Sequence, residues 1–131
     1  MRWTLRFLTL LLLTLLCAIA AADPRSHYMI HCMGCHLDDG RGLPPDVPAF
    51  DDKLALLATS EKGREYLVRV PGSSQSPIDD AALAGVLNWI LEEYAGEPVY
   101  TPFLESEISR YRHKPLSNPA LMRSELLDAA D

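Results

Sequence analysis

The chain is most informative in what it has little of. Of 131 residues only three are cysteine, at Cys17, Cys32 and Cys35. Two of them make one close pair, and with Cys17 in the expected leader no second Cys pair exists to complete the four ligands of a structural zinc site. No strand–helix–strand pattern surrounds that pair, which argues against a thioredoxin-like redox centre. Basic residues are also few, 12 Lys and Arg against 18 Asp and Glu, for a formal charge of −6. This balance excludes the basic footprint that nucleic-acid phosphates demand. After the first 22 residues no apolar run approaches the ~20 residues that cross a bilayer. Repeats, low-complexity tracts and signs of a second core are absent as well.

What is there is Cys32-Met33-Gly34-Cys35-His36. A Cys-x-x-Cys-His run is the attachment site of a c-type haem. Two thiols about one helical turn apart suit the two vinyl groups of one porphyrin, and the histidine that follows can offer a ring nitrogen to the iron. On a helix Cys32 and His36 are i and i+4 and share a face. The expected cofactor is therefore one covalently attached haem c. Cys32, Cys35 and His36 are its binding residues and His36 is the metal ligand.

Residues 1–22 read as an export leader. Arg2 and Arg6 form a positive start, Phe7 to Cys17 is leucine-rich, and Ala18-Ile19-Ala20-Ala21-Ala22 supplies small residues for cleavage after Ala20 or Ala22. The apolar run from Phe7 to Ala22 is 16 residues long, short for a bilayer span, so an uncleaved membrane anchor is the alternative. Leu16 before Cys17 speaks against a lipoprotein site. Cleavage after Ala22 leaves 109 residues with 10 basic and 18 acidic side chains, formally −8, since the leader carries Arg2 and Arg6 and no acid. That is the size of one domain. Its charge suits a partner with a positive docking face, although solubility explains the same balance.

Asp23 or Ser26 can cap a helix running through His27-Tyr28-Met29-Ile30-His31 into the haem motif, with Tyr28 and Cys35 on its inner face. The stretch from Leu37 to Phe50 is dense in Gly, Pro and Asp and must be a loop. With this loop the chain resembles a class I cytochrome c. The matching elements are Cys32 to His36, the turn Asp39-Gly40-Arg41-Gly42, and Val47-Pro48-Ala49-Phe50. The resemblance covers roughly Tyr28 to Tyr94. It implies an all-α fold of about four to five helices wrapped around one covalent haem. It also implies that the Pro48 carbonyl accepts the second ring proton of His36, fixing the tautomer and raising ligand basicity.

Further helices are expected over Asp51–Ala58 and Ser60–Val70, stopped by Pro71 and followed by a loop from Gly72 to Pro77. Asp79 and Asp80 open the longest pattern. Leu83, Val86, Leu87, Ile90, Leu91 and Tyr94 form one apolar stripe. This helix resembles the family's C-terminal helix, which crosses the N-terminal one. Trp89 or Tyr94 would bring the aromatic contact, and Gly85 would permit close crossing.

The departure from the family concerns the iron's sixth position. Class I cytochromes usually supply a methionine before the last helix, and this chain has Val70-Pro71 there. Three readings stay open: an open or weakly filled position, a ligand from the tail (His113 or Met122), or an unusual loop ligand such as Ser74 or Gln75. Arg69, Gln75 and Tyr66 are candidate distal groups, while Arg64 and Arg69 could pair with haem propionates or simply be solvated.

The expected organisation is a leader over 1–22, a cytochrome domain over 23–96 and a helical extension over 97–131. In the extension one helix would begin at Thr101-Pro102 and another after Asn118-Pro119. The expected function is that of a periplasmic electron carrier, not an enzyme. It would carry single electrons between an oxidoreductase and an acceptor, its redox partner being a periplasmic dehydrogenase or a terminal acceptor. The alternative is an open-site haem protein that senses or transforms a gas or peroxide.

Overall fold

The computed structural model describes residues 23–96 and 101–130. The expected leader lies outside the described residues. Within them the chain is helical and has no strand, with a lone antiparallel bridge between Leu43 and Val47. In chain order the helices are α1 (Pro24–His31), α2 (Met33–His36), α3 (Asp52–Ala58), α4 (Glu61–Arg69), α5 (Pro71–Ser74), α6 (Asp80–Tyr94), α7 (Glu105–Tyr111) and α8 (Pro119–Asp128).

Local chemistry explains most boundaries. Asp51 caps α3 through the Lys53 amide, Ser60 caps α4 through Gly63, Asp79 caps α6 through Ala82, and Asn118 caps α8 through Leu121. Each oxygen satisfies one amide that the helix leaves without a partner. Pro24, Pro71 and Pro119 stand in first turns, where the missing amide costs nothing. Two expectations shift. Pro71 ends α4 but also opens the single turn α5, inside the stretch expected to be irregular. The helix expected at Thr101-Pro102 begins at Glu105, because the Thr101 and Pro102 carbonyls and the Phe103 backbone are engaged by Arg64 and Asn88.

The core gathers on α6. Leu83, Val86, Leu87, Ile90 and Leu91 are buried against Tyr28 of α1, Leu54 and Ala58 of α3, and Val68 of α4. The α1–α6 crossing is aromatic. Tyr28 lies 4.9 Å from the Trp89 ring and 6.1 Å from the Tyr94 ring, so both candidates serve. Gly85 is not needed for space there, since a Cβ would meet only Pro24 Cγ at 3.5 Å.

Residues 101–130 join this core. Phe103 and Ile108 are buried within it, and the side-chain amide of Asn88 exchanges two hydrogen bonds with the Phe103 backbone, at 2.7 and 3.1 Å. Arg64 closes the same corner. It makes a two-bond pair with Glu107 at 2.6 and 2.7 Å, donates to the Thr101 carbonyl at 2.6 Å, and stacks 4.0 Å over the Phe103 ring. Arg112, buried, donates to Asp80 at 2.7 Å and to the Ile78 and Ser76 carbonyls at 2.9 Å.

Candidate haem site

Helix α1 delivers Cys32 at its C-cap, and the one-turn α2 carries Cys35 and His36. The helix that the sequence runs unbroken into the motif bends at Cys32, whose backbone leaves the α region (φ −121°). Cys32 is half-buried against the core and Cys35 is exposed, both as free thiols. Burial, with Cys35 beside it, pushes the Cys32 thiol up to about 11.

After His36 the chain reverses. Leu37 takes a positive φ of 64°, a costly conformation for a branched residue. Its neighbours hold it there: the Leu37 amide donates to Met33 O at 2.8 Å, and its carbonyl accepts from the Tyr28 hydroxyl at 2.5 Å. One residue on, the Tyr94 hydroxyl donates to the Asp38 carbonyl at 3.0 Å. The loop then folds back on two glycines. Gly42, at φ +67°, packs so tightly that a Cβ would stand 2.4 Å from Val47 O and 2.7 Å from Pro48 O. Gly40, at φ +71°, lies under the Tyr94 and Phe50 rings. Phe50, whose amide donates to Gly40 O at 2.8 Å, stacks on the His36 imidazole at 4.2 Å and 13°.

His36 could serve as a metal ligand. Burial holds its imidazole down to about 4, hence neutral at physiological pH, and only a neutral imidazole has a free lone pair for a metal. Its Nδ1 is buried and has no hydrogen-bond partner, which is costly for an isolated polar atom. The bond expected from His36 to the Pro48 carbonyl is not formed: that carbonyl is packed against Gly42, whose own amide donates to His36 O at 3.2 Å. Two thiols one turn apart, a neutral ring locked by Phe50 and an apolar bed under Cys32 fit a covalently held haem.

The candidate distal groups are mostly committed elsewhere. Arg64 pairs with Glu107. Arg69 pairs with Glu65 and donates to Lys114 O at 2.6 Å. Tyr66 is buried, which raises its hydroxyl pKa. In the loop after α4 the Ser74 hydroxyl donates to Val70 O and the Ser76 hydroxyl to Ser73 O. Gln75 and His113 are exposed, and Met122 is half-buried on α8. Sequence reasoning does not single out Phe50 as a support for His36, nor Arg112 as a clamp on the loop before α6. The first stands inside a matched motif, and the second stands beside Arg110, His113 and Lys114, which together read in the sequence as a solvated basic cluster at a helix end.

Comparison with known proteins agrees with this geometry, although no protein-family model matches the sequence. A cytochrome c-552 of Thermus thermophilus is 30% identical over 121 residues, covering 76% of this chain and 81% of that protein. A second Thermus thermophilus cytochrome c-552 is 29% identical over 107 residues, covering 66% of this chain and 82% of the relative. With the Cys-x-x-Cys-His turn and the all-helical wrap in place, these similarities show that the chain belongs to the class I-like c-type cytochromes, electron carriers that hold one haem c covalently.

Proposed function

We propose that Cys32 and Cys35 bind the haem through two thioether bonds, that His36 ligates its iron, and that the protein works in the periplasm. There it would move single electrons from an oxidoreductase to an acceptor. The observation that carries this reading is His36: a neutral, half-buried imidazole, clamped by Phe50, directly after a cysteine pair. When bound, the haem supplies a one-electron Fe(III)/Fe(II) couple. The chain's own part is rigidity and exclusion of water. Tyr28 and Tyr94 hold the carbonyls behind His36, and Phe50 fixes the ring plane. Pro48 is our candidate acceptor for Nδ1, a bond that this structure does not form. The acidic surface supports steering towards a positively charged partner, with association slowing as salt rises. Among the described residues no helix is long and apolar enough to cross a membrane.

A second reading, small-ligand binding at an open iron, is favoured by one feature. The loop that begins at Val70-Pro71 engages the Ser74 and Ser76 hydroxyls in its own backbone and is pinned by Arg112, and its serines and Gln75 are weak ligands for haem iron. One experiment addresses both readings: optical spectra of the mature protein, oxidised and reduced, with and without carbon monoxide. A simple carrier gives a low-spin spectrum that the gas leaves unchanged. A high-spin ferrous form that binds the gas at once favours the second reading. Cys32→Ala with Cys35→Ala should leave no haem on the denatured chain, and haem that stays attached would overturn the assignment.

A further inference from the structure

Helix α1 carries a second group of metal-ligating side chains that the haem does not use. His27 and His31 stand at i and i+4, on one face of the helix. Their rings stack with centroids 5.9 Å apart and planes 24° from parallel. Both are half-buried, and among the described residues neither imidazole has a hydrogen-bond or ion-pair partner. Two histidines one helical turn apart are a common way for a helix to chelate a metal. Zinc bonds a histidine nitrogen at ~2.0–2.1 Å. Among the described residues the buried ring nitrogen without a partner is that of His36, so the nitrogens of His27 and His31 are open to solvent and to an ion.

We propose that His27 and His31 form a surface chelate for a borderline divalent transition ion, zinc or copper(II). No third protein ligand converges on them: among the described residues no group of three or more His, Cys, Asp or Glu could hold a metal. Water completes the coordination, so the site is exchangeable, and copper(II) binds more tightly than zinc. The metal staples α1 one turn before the haem motif and raises the stability of that helix in proportion to occupancy.

The test uses the mature holoprotein, titrated calorimetrically with zinc and then with copper(II) at neutral pH. The expected result is one equivalent of each ion, with copper(II) tighter. His27→Ala and His31→Ala should each weaken binding roughly tenfold or more, because one of two protein ligands is gone. The double substitution should abolish binding. His113→Ala, at the exposed tail histidine, should change nothing. An unchanged Soret band certifies the fold of each variant, and His27→Gln replaces any variant that loses it. The inference is overturned if the wild type shows no saturable heat with either ion, if binding survives the double substitution, or if it disappears with His113→Ala.

Discussion

The Tyr28 hydroxyl donates a 2.5 Å hydrogen bond to the carbonyl of Leu37, the residue directly after His36 and one with a positive φ. A buried side chain of α1 thus holds the strained exit from the haem motif. Tyr28→Phe keeps the ring contacts with Trp89 and Tyr94 and removes only this donor. The Leu37 carbonyl is then left without its partner, and a cost of about 1–3 kcal/mol is expected. Tyr94→Phe removes an exposed bond to the Asp38 carbonyl, which water can replace, so a loss below ~1 kcal/mol is expected. Thermal unfolding of the two variants checks the order. A larger loss for Tyr94→Phe would mean that the outer bond governs the turn.

Gly42 should be the least replaceable glycine in the loop. Alanine there is strained by its φ of +67° and would place its Cβ 2.4 Å from the Val47 carbonyl oxygen. Backbone must move, and the displaced segment carries Pro48 and Phe50. A loss of ~2 kcal/mol or more is expected from strain and overpacking together. Gly72→Ala, in α5 with open space around it, should gain or lose no more than about 1 kcal/mol. Denaturant titration, read beside the haem absorption spectrum, distinguishes them. Equal stabilities would show that the loop yields easily.

Local chemistry makes much of this legible in the sequence. The Cys-x-x-Cys-His run names its cofactor because the zinc and thioredoxin-like uses of such a pair lack the second Cys pair and the strand–helix–strand context they need. Asp51, Ser60, Asp79 and Asn118 announce helix starts because each supplies the oxygen its first turn needs. What stays hidden depends on partners far apart in the chain. Arg64 reads as a solvated cation or a propionate partner, and its carboxylate is Glu107, 43 residues on. Arg112 belongs to an apparently exposed basic cluster, yet it is buried against Ser76, Ile78 and Asp80. The bend at Cys32 is also invisible, since the periodicity of α1 and α2 is continuous in sequence.

The tail's place in the core makes it indispensable to folding. A chain ended at Gly96 loses Phe103 and Ile108, both fully packed, leaves Asn88 and Asp80 without these partners, and leaves Arg64 with the Ala58 carbonyl but without Glu107. Losing one large buried side chain costs ~2–5 kcal/mol, against a total of ~5–15 kcal/mol for a domain. The truncated chain should therefore show weak near-ultraviolet circular dichroism and a broad melt. Ile108→Ala alone should cost ~2–5 kcal/mol with the haem retained. A sharp, native-like melt of the truncated chain would refute this account.

Alkaline pH should destabilise the protein through Tyr28. Burial, and secondarily the neighbouring Tyr94, raises its hydroxyl pKa well above the ordinary value, which is about 10 for a free tyrosine. The folded chain therefore keeps this proton at pH values where the unfolded chain has released it. The sign follows from linkage: stability from this group is complete below pH ~10 and falls as pH rises from there towards the raised folded value, by up to ~1.4 kcal/mol per pH unit. Tyr66, raised by burial and partly relieved by Arg123, adds a fall of the same sign. Tyr28→Phe has no proton to lose, so its stability should decline less steeply between pH ~9.5 and ~11 than that of the wild type. Its deficit at neutral pH, set by the lost Leu37 bond, should narrow over the same interval. Urea unfolding followed by far-ultraviolet circular dichroism across that range reads both slopes. Parallel curves would mean that the folded protein ionises Tyr28 as readily as the unfolded chain does.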